Sequence, residues 1–197
     1  MTTSTSYVDP RVKRTRQLLQ NAFLELMQEK GFSALSIQDI TARATVNRGT
    51  FYAHFPDKFA LLEAVIREQF HQAVALKLPS LSRLGRTTLR LLIQTVFEYF
   101  REIYHRCPPS ETMTPFLEQA IQEELTRLLV TWLKQERVRE QVPVETMAVM
   151  VSWAILGAVV QWCRGTNTIS AEQMANQALI VITGGMERMT PDAFGDS

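Results

Sequence analysis

The stretch from Val46 to Phe55 carries the side chains of this chain that are best suited to contact a polar partner. It reads VNRGTFYAHF, and Asn47 is a good N-cap because its side chain can accept a backbone N–H from a first helical turn. Phe51 and Phe55 lie four residues apart, which predicts that they anchor one face of a two-turn helix. The side chains left for its other faces are Arg48, Thr50, Tyr52 and His54.

Two preceding helices must position this stretch. The pair Asp9-Pro10 combines an N-cap with a proline at the first helical position, which predicts the start of a helix. Ser36 and Asp39 resemble a capping box for a second helix that ends near Ala44. A helix, a three-residue turn and a short helix have the spacing of a helix-turn-helix motif.

The charge of the chain is unevenly distributed. Residues 10–58 hold eight Lys and Arg against four acidic residues, whereas residues 59–197 hold thirteen basic and fifteen acidic residues. The hydrophobic fraction of 46% and the charged fraction of 21% are ordinary for a soluble globular protein. A basic first quarter on a slightly acidic body indicates that one end meets a polyanion.

Enzymatic chemistry is not expected from this sequence. The three histidines are scattered, and no metal-binding spacing, glycine-rich phosphate loop or nucleophile elbow is present. Cys107 and Cys163 lack metal or redox spacing, which predicts free thiols in a reducing compartment. No apolar signal segment is found at the start of the chain, so we expect a cytoplasmic protein. Because no metal-binding spacing or phosphate loop is present, we expect neither a cofactor nor a metal.

Five further helices are predicted after the short helix, and strand signals are absent. The first two cover Lys58–Leu78 and about Arg86–Arg106, and Pro108-Pro109 is expected to stop the second. The third begins at Thr114, the fourth runs from Val142-Pro143 to Gly165, and the fifth runs from Ser170 to about Met189. The predicted fold is therefore all-α. A three-helix head over residues 9–57 is joined to a five-helix body over residues 58–190.

The head resembles the DNA-binding part of the TetR family of transcriptional regulators. The matching residues run from about Arg11 to Ile66, and the segment from Gly49 through Lys58 is highly specific. The body is similar only in architecture. The resemblance implies a dimeric regulator, most often a repressor, whose body senses a small molecule. One position departs from the family: Thr45 stands where glycine is usual, and because Thr disfavours positive φ we expect an altered or strained turn.

Each side chain of the head has a predicted role on DNA. Arg48 is the candidate for base readout, since its fork can bond O6 and N7 of guanine together. Thr50 can contact a phosphate or a thymine methyl group, while Tyr52 and His54 are candidate phosphate donors. The other predicted contacts are Gln38, Asn47, Gly49 and Lys58, of which Gly49 allows close backbone approach and Lys58 adds charge beside free N–H groups. For a lone Tyr or His the ordinary alternative is a packing or surface role, and the Arg11–Arg16 cluster suits a solvated face equally well.

The eighteen uncharged residues from Thr146 to Cys163 could form a membrane span by length, or a buried helix. Small residues along this segment favour close approach of another helix, and an all-round apolar helix needs partners on every side. We therefore expect a homodimer in which the last two helices pair with their symmetry mates as a four-helix bundle. The predicted interface residues are Ala154, Gly157, Ala158, Gln161, Ala175 and Leu179.

Aromatic residues of the body are candidates for lining an effector pocket, although aromatics at helical spacing are more often simply core. The predicted ligand contacts are Phe97, Phe100, Tyr104, Trp132 and Trp153. Two alternatives stay open: a sensor or co-regulator subunit that acts through protein partners without DNA, and a membrane-attached form.

Overall fold

The computed structural model describes residues 9–78, 83–106, 110–136, 142–165 and 169–187, with Arg106 described by its backbone alone. Within these ranges the chain forms eight α-helices and no strand, so the all-α prediction is confirmed. The helices are α1 (Pro10–Lys30), α2 (Ile37–Ala44), α3 (Arg48–His54), α4 (Lys58–Lys77), α5 (Arg86–Arg106), α6 (Thr114–Leu133), α7 (Val144–Arg164) and α8 (Ala171–Met186).

The helices begin at the predicted capping residues. Asp9 accepts a hydrogen bond from the backbone N–H of Arg11 at 2.9 Å, ahead of Pro10 in the first turn. Both predicted capping boxes are present, at Ser36 of α2 and at Ser170 of α8. These side chains satisfy N–H groups that have no partner inside a helix, which explains why the sequence locates the starts so closely.

Helix α5 has the predicted bounds, Arg86–Arg106, and its predicted stop at Pro108-Pro109 lies outside the described residues. Helix α8 ends at Met186, three residues before the predicted Met189, which also lies outside the described residues. Gly31 ends α1 as predicted, with a φ of 73° and its N–H bonded to the carbonyl of Met27.

Helix α4 connects the two ends of the molecule. It packs against α1 on one side and against α5 and α6 on the other. Helices α1, α2 and α3 pack in sequence as a head, and α5 to α8 pack around one another as the body. One continuous hydrophobic core runs from Leu19 in α1 to Met186 in α8. The division at residues 57 and 58 stays a prediction.

Helix α7 is long and apolar enough to cross a membrane by length and composition alone, with a mean hydropathy of 1.6. Its inner face, which includes Ile155 and Val159 at 0% exposure, packs into the body. Its outer face leaves Met150 65% exposed and Trp153 53% exposed.

The predicted interface residues divide between two faces. Ala154, Gly157 and Gln161 are exposed on α7, where a partner helix can reach them. Ala175 and Leu179 are 1% and 7% exposed and pack into the protomer's own core, so they do not lie on the accessible face of α8. Ala158, on α7, is half-buried against that core. The outward face of α8 instead carries Ile180 and Val181, which are 68% and 76% exposed.

Candidate nucleic-acid interface

The first turn of α3 is closed by Asn47. Its side-chain oxygen accepts hydrogen bonds from the backbone N–H of Thr50 at 2.7 Å and from the Thr50 hydroxyl at 3.0 Å. Gly49 fits inside this turn, since a Cβ atom there would lie 3.2 Å from the Asn47 oxygen. Gly49 thus keeps space for the cap as well as leaving the backbone open to a close partner.

Helix α3 buries one face and exposes the other. Phe51 and Phe55 are 0% and 2% exposed, as predicted, and the Arg16 guanidinium of α1 lies 4.6 Å from the centre of the Phe55 ring. Arg48 and Tyr52 are exposed on the other faces, and Tyr52 keeps 52% of its surface accessible.

Thr50 and His54 are half-buried at the sides of α3. The hydroxyl of Thr50 is already donated to Asn47, which leaves its methyl group and its acceptor lone pairs for a partner. The amide N–H₂ of Asn47 is likewise available, because capping uses its oxygen. The predicted side chains of α3 therefore lie together on one short helix that is capped by Asn47.

The turn between α2 and α3 has regular bonding around a strained residue. Thr45 adopts φ 55° and ψ 44°, the left-handed conformation that glycine favours. Its N–H bonds to Ala42 at 3.2 Å, and the N–H of Val46 bonds to Thr41 at 3.0 Å. This is the bonding of a Schellman motif. The departure at Thr45 therefore places the strain in that residue, while both capping bonds of the turn are formed.

Ion pairs fix α2 against α1. Arg43 bonds Glu29 through both guanidinium nitrogens at 2.8 Å and Glu25 at 3.0 Å. The hydrogen bond from Arg43 holds the pKa of Glu29 below its usual value of 4.5. Lys30 and Asp39 form a second pair at 2.7 Å, and their hydrogen bond lowers the pKa of Asp39. Gln38, the predicted contact on α2, is exposed beside them.

Lys58 differs from the other predicted contacts. Its ammonium donates to the backbone carbonyls of Phe32 and Leu35 at 3.2 and 2.9 Å, and lies 4.6 Å from the centre of the Phe32 ring. These bonds tie the start of α4 to the loop between α1 and α2. Phosphate contact by Lys58 stays a prediction, but most of its bonding capacity serves the joint between head and α4.

A cavity of about 320 Å³ lies between the head and the body. Its walls come from α1, α4, α5 and the start of α6, and are mainly apolar. The predicted ligand contacts do not line it. Phe97, Phe100 and Trp132 are at most 6% exposed within the core, and Trp153 faces outward.

Tyr104 lines a separate, shallower recess together with Trp162 and Cys163. Burial raises the pKa of the Cys163 thiol to about 11, so this cysteine is a poor nucleophile. The structure shows Cys163 as a free thiol, while Cys107 lies outside the described residues. Among the residues that the structure describes, no group of His, Cys, Asp or Glu could hold a metal ion.

Comparison with known proteins identifies the head. Residues 21–65 match the family described as bacterial regulatory proteins, tetR family. The uncharacterized HTH-type transcriptional regulator YxbF of Bacillus subtilis is 43% identical over 61 residues, which are 30% of this chain and 16% of that protein. The TetC protein of transposon Tn10 from Escherichia coli is 44% identical over 57 residues, 29% of each chain. The match thus spans under a third of either relative's length.

Beyond the head, the chain is similar to solved structures in its fold. The solved structure of RolR in complex with resorcinol superposes with a TM-score of 0.56 over 87% of this chain and 88% of that chain, at 21% identity. This likeness shows the arrangement of helices alone. The head over residues 21–65 is therefore that of the TetR family of bacterial regulatory proteins, and the helices around it are arranged as in the RolR structure.

Proposed function

We propose that this protein is a ligand-responsive transcriptional regulator, acting as a repressor, that reads operator DNA through α3. The observation that carries the proposal is the division of α3 into two faces. Phe51 and Phe55 hold the helix to the head, and Arg48 and Tyr52 stand exposed on it. A helix of this kind can enter the major groove while neighbouring groups contact phosphates.

The side chains of α3 divide between reading and positioning. Arg48 lies at the start of the helix, is exposed, and makes no ion pair with a residue that the structure describes. Its guanidinium is therefore available to bond guanine. Tyr52 and His54 donate to phosphates, and Thr50 offers its methyl group to thymine. Gln38 and Asn47 contribute further polar contacts from the ends of α2 and α3.

We propose a homodimer that binds a palindromic operator. The outer faces of α7 and α8 expose Met150, Trp153, Ile180 and Val181, a set of large apolar side chains that a second copy would cover. Pairing these faces by two-fold symmetry builds a four-helix bundle. Two heads then contact half-sites about 34–36 Å apart, or a multiple of that distance.

The body is proposed as the part that senses an effector. The name of the RolR structure records a bound small molecule, resorcinol, in a protein of the same fold. In this chain α4 contacts both head and body, so a change in the body can alter the separation of the two heads. A coupling of about 1–3 kcal/mol changes operator affinity from several-fold to about a hundredfold.

The test is binding of the purified protein to DNA from its own upstream region, measured by gel shift at low and high salt. We expect a discrete complex whose affinity falls steeply with salt, because Lys and Arg displace counterions from phosphates. Failure to shift any upstream fragment at low salt would contradict the proposal. A protein partner recovered by co-purification would then favour the sensor subunit that acts without DNA.

A further inference from the structure

We propose that the recess beside Tyr104, Trp162 and Cys163, which we call the Tyr104 recess, binds a small planar aromatic carboxylate. It lies on the surface of the body, where α5 and α7 end and the chain enters α8. Its volume is about 370 Å³, and an apolar cavity of about 150 Å³ already holds benzene, so the recess has room for two fused rings. This binding goes beyond the proposed function, because it requires no DNA.

Two aromatic rings form fixed walls of the Tyr104 recess. Tyr104 and Trp162 are both half-buried, so part of each ring remains accessible. Buried rings support them from behind: Phe100 stacks on Tyr104 with 6.4 Å between ring centres. Phe97 lies 5.7 Å from Trp162 by the same measure. The indole N–H of Trp162 also donates to the carbonyl of Ile169 at 3.2 Å. A planar aromatic molecule can therefore stack on these walls as well as bury apolar surface.

Arg101 supplies the charge that a carboxylate would bind. Arg101 and Tyr104 are three residues apart on α5, so both side chains lie on the face that lines the recess. Arg101 is exposed and makes no hydrogen bond or ion pair with a residue that the structure describes. The acidic residues beside it on α5 are engaged elsewhere, since Glu98 pairs with Lys77 and Glu102 lines the cavity between head and body. A carboxylate can thus accept two hydrogen bonds from the Arg101 guanidinium.

The other polar groups at the recess do not oppose an anion at Arg101. The last carbonyls of a helix carry partial negative charge, which basic side chains in the last turn offset. His105 serves α5 in this way, and Arg164 ends α7 and pairs with Glu118 at 2.8 Å. The effect fades within the last turn, and Arg101 lies five residues before the end of α5. Burial raises the pKa of the Cys163 thiol to about 11, so it stays uncharged at neutral pH.

Calorimetry on the full chain with 2-naphthoate and 2-naphthamide tests the charge preference, because these probes have the same rings and differ in charge. We expect the carboxylate to bind at least about fivefold more tightly than the amide, since charge-assisted hydrogen bonds are stronger than neutral ones. Decahydro-2-naphthoate keeps the charge but cannot stack, so it should bind at least about threefold more weakly than 2-naphthoate. Equal affinities for carboxylate and amide, or no binding by any probe, would overturn the proposal.

Arg101→Gln and Arg90→Gln are matched variants. Both arginines are exposed on α5, and Arg90 does not line the recess. In Arg101→Gln the affinities for 2-naphthoate and 2-naphthamide should agree within about twofold, whereas Arg90→Gln should keep the wild-type preference. Arg101→Lys should retain part of the preference, because it keeps the charge without the planar fork. A wild-type preference in Arg101→Gln would show that another group binds the carboxylate.

Two further readouts locate the bound probe. Ala73→Phe fills the cavity between head and body and should leave the affinity for 2-naphthoate unchanged, so lost binding in this variant would assign the probe to that cavity. Saturating 2-naphthoate should slow alkylation of Cys163 by iodoacetamide in mild alkali at least about fivefold, because the probe covers the thiol. Mass spectrometry of the Cys163 peptide measures this rate, and an unchanged rate would contradict the site. A protein that passes these tests but binds no DNA would contradict the proposed function alone.

Discussion

Thr45 is the residue of the head whose backbone conformation is most costly. A β-branched residue at φ 55° and ψ 44° lies in the left-handed region, which costs an L-residue about 1–2 kcal/mol. Glycine removes that cost but loses part of the gain because it increases the entropy of the unfolded chain. We therefore predict that Thr45→Gly stabilises the protein by about 0.5–1 kcal/mol, measured by urea denaturation.

Ala42→Gly provides the control for that measurement. Ala42 is exposed on α2 with helical neighbours on both sides, so glycine there should destabilise by about 1 kcal/mol. Loss of stability in Thr45→Gly would show that the Thr45 side chain contributes more than its strain costs. The Schellman bonding of the turn, from Val46 to Thr41, should persist in the variant.

Lys58 shows why residue roles are harder to predict than residue positions. The place of Lys58 at the start of α4 follows from the capping residue Asp57, whose side chain accepts hydrogen bonds from two backbone N–H groups at 2.8 Å. Its partners, the carbonyls of Phe32 and Leu35, become neighbours only when α1 and α4 pack. No local pattern reports such a contact.

At the scale of helices, a cluster of charges joins α4 to α6. Glu124 is 1% exposed and accepts bonds from Arg67 and His71 at 2.7 Å and from Arg127 at 2.9 Å. A carboxylate buried to this degree requires its cations. Glu124→Gln should destabilise the protein by about 2 kcal/mol, because it removes the charge while Arg67 stays partly buried.

The matched control for Glu124→Gln is Glu68→Gln. Glu68 is an exposed carboxylate on α4 that accepts only from Gln72 in the described part of the chain, so its loss should cost under about 0.5 kcal/mol. Equal stability of the two variants in urea would contradict the importance of the buried cluster. The same titrations, repeated with DNA, report whether the α4–α6 contact affects the head.

Carboxylates paired across helices also make stability depend on pH. Hydrogen bonds from Arg43 to Glu29 and from Arg67 to Glu123 hold both pKa values below the usual 4.5. The unfolded chain therefore binds more protons than the folded protein in mild acid, so this stabilisation is complete above about pH 4.5 and is lost as the pH falls further.

Arg43→Gln tests this pH dependence. It removes the partner of Glu29, so the fall in stability between about pH 5 and 3 should be shallower than in the wild-type protein. Thermal unfolding at a series of pH values measures both slopes. Identical slopes would show that the Arg43 pair is screened by solvent and contributes nothing to acid sensitivity.

The boundaries of helices were the most predictable part of the fold. Asp9, Ser36, Asn47 and Ser170 cap helices through bonds to residues two or three positions away, which a sequence displays directly. The sequence could not predict in this way that the Leu179 side chain is buried and the Ile180 side chain is exposed, since both residues are apolar and adjacent. Only the packing of α8 against α5 and α7 decides which face is buried.

The cavity shows the same limit at the scale of the whole molecule. Its walls combine residues as distant in sequence as Phe23 and Leu117. The aromatic residues Phe97, Phe100 and Trp132 satisfied the sequence pattern for a pocket but fill the core instead. Residue type predicts which side chains are buried, but the space left between α1, α4, α5 and α6 depends on how these four helices pack.

Dimerisation is tested at Gly157. An added Cβ atom at this exposed position on α7 meets no atom within 4 Å, so a larger side chain fits the protomer. Gly157→Glu should keep the fold and place a charge in the proposed interface, where burial without a partner costs several kcal/mol. Light scattering should then report a monomer, whereas Ala75→Glu should remain a dimer. A dimeric Gly157→Glu would place the interface elsewhere.

The most direct test of DNA reading compares Arg48→Ala with Tyr52→Ala on a library of double-stranded sequences. We predict that the wild-type protein enriches a palindrome. Tyr52→Ala should weaken binding to all sequences about equally, and Arg48→Ala should also relax the preference at one base pair of each half-site, a loss of about 1–3 kcal/mol in discrimination. An unchanged sequence preference in Arg48→Ala, or no enrichment by the wild-type protein, would contradict the account of α3 as the reading helix.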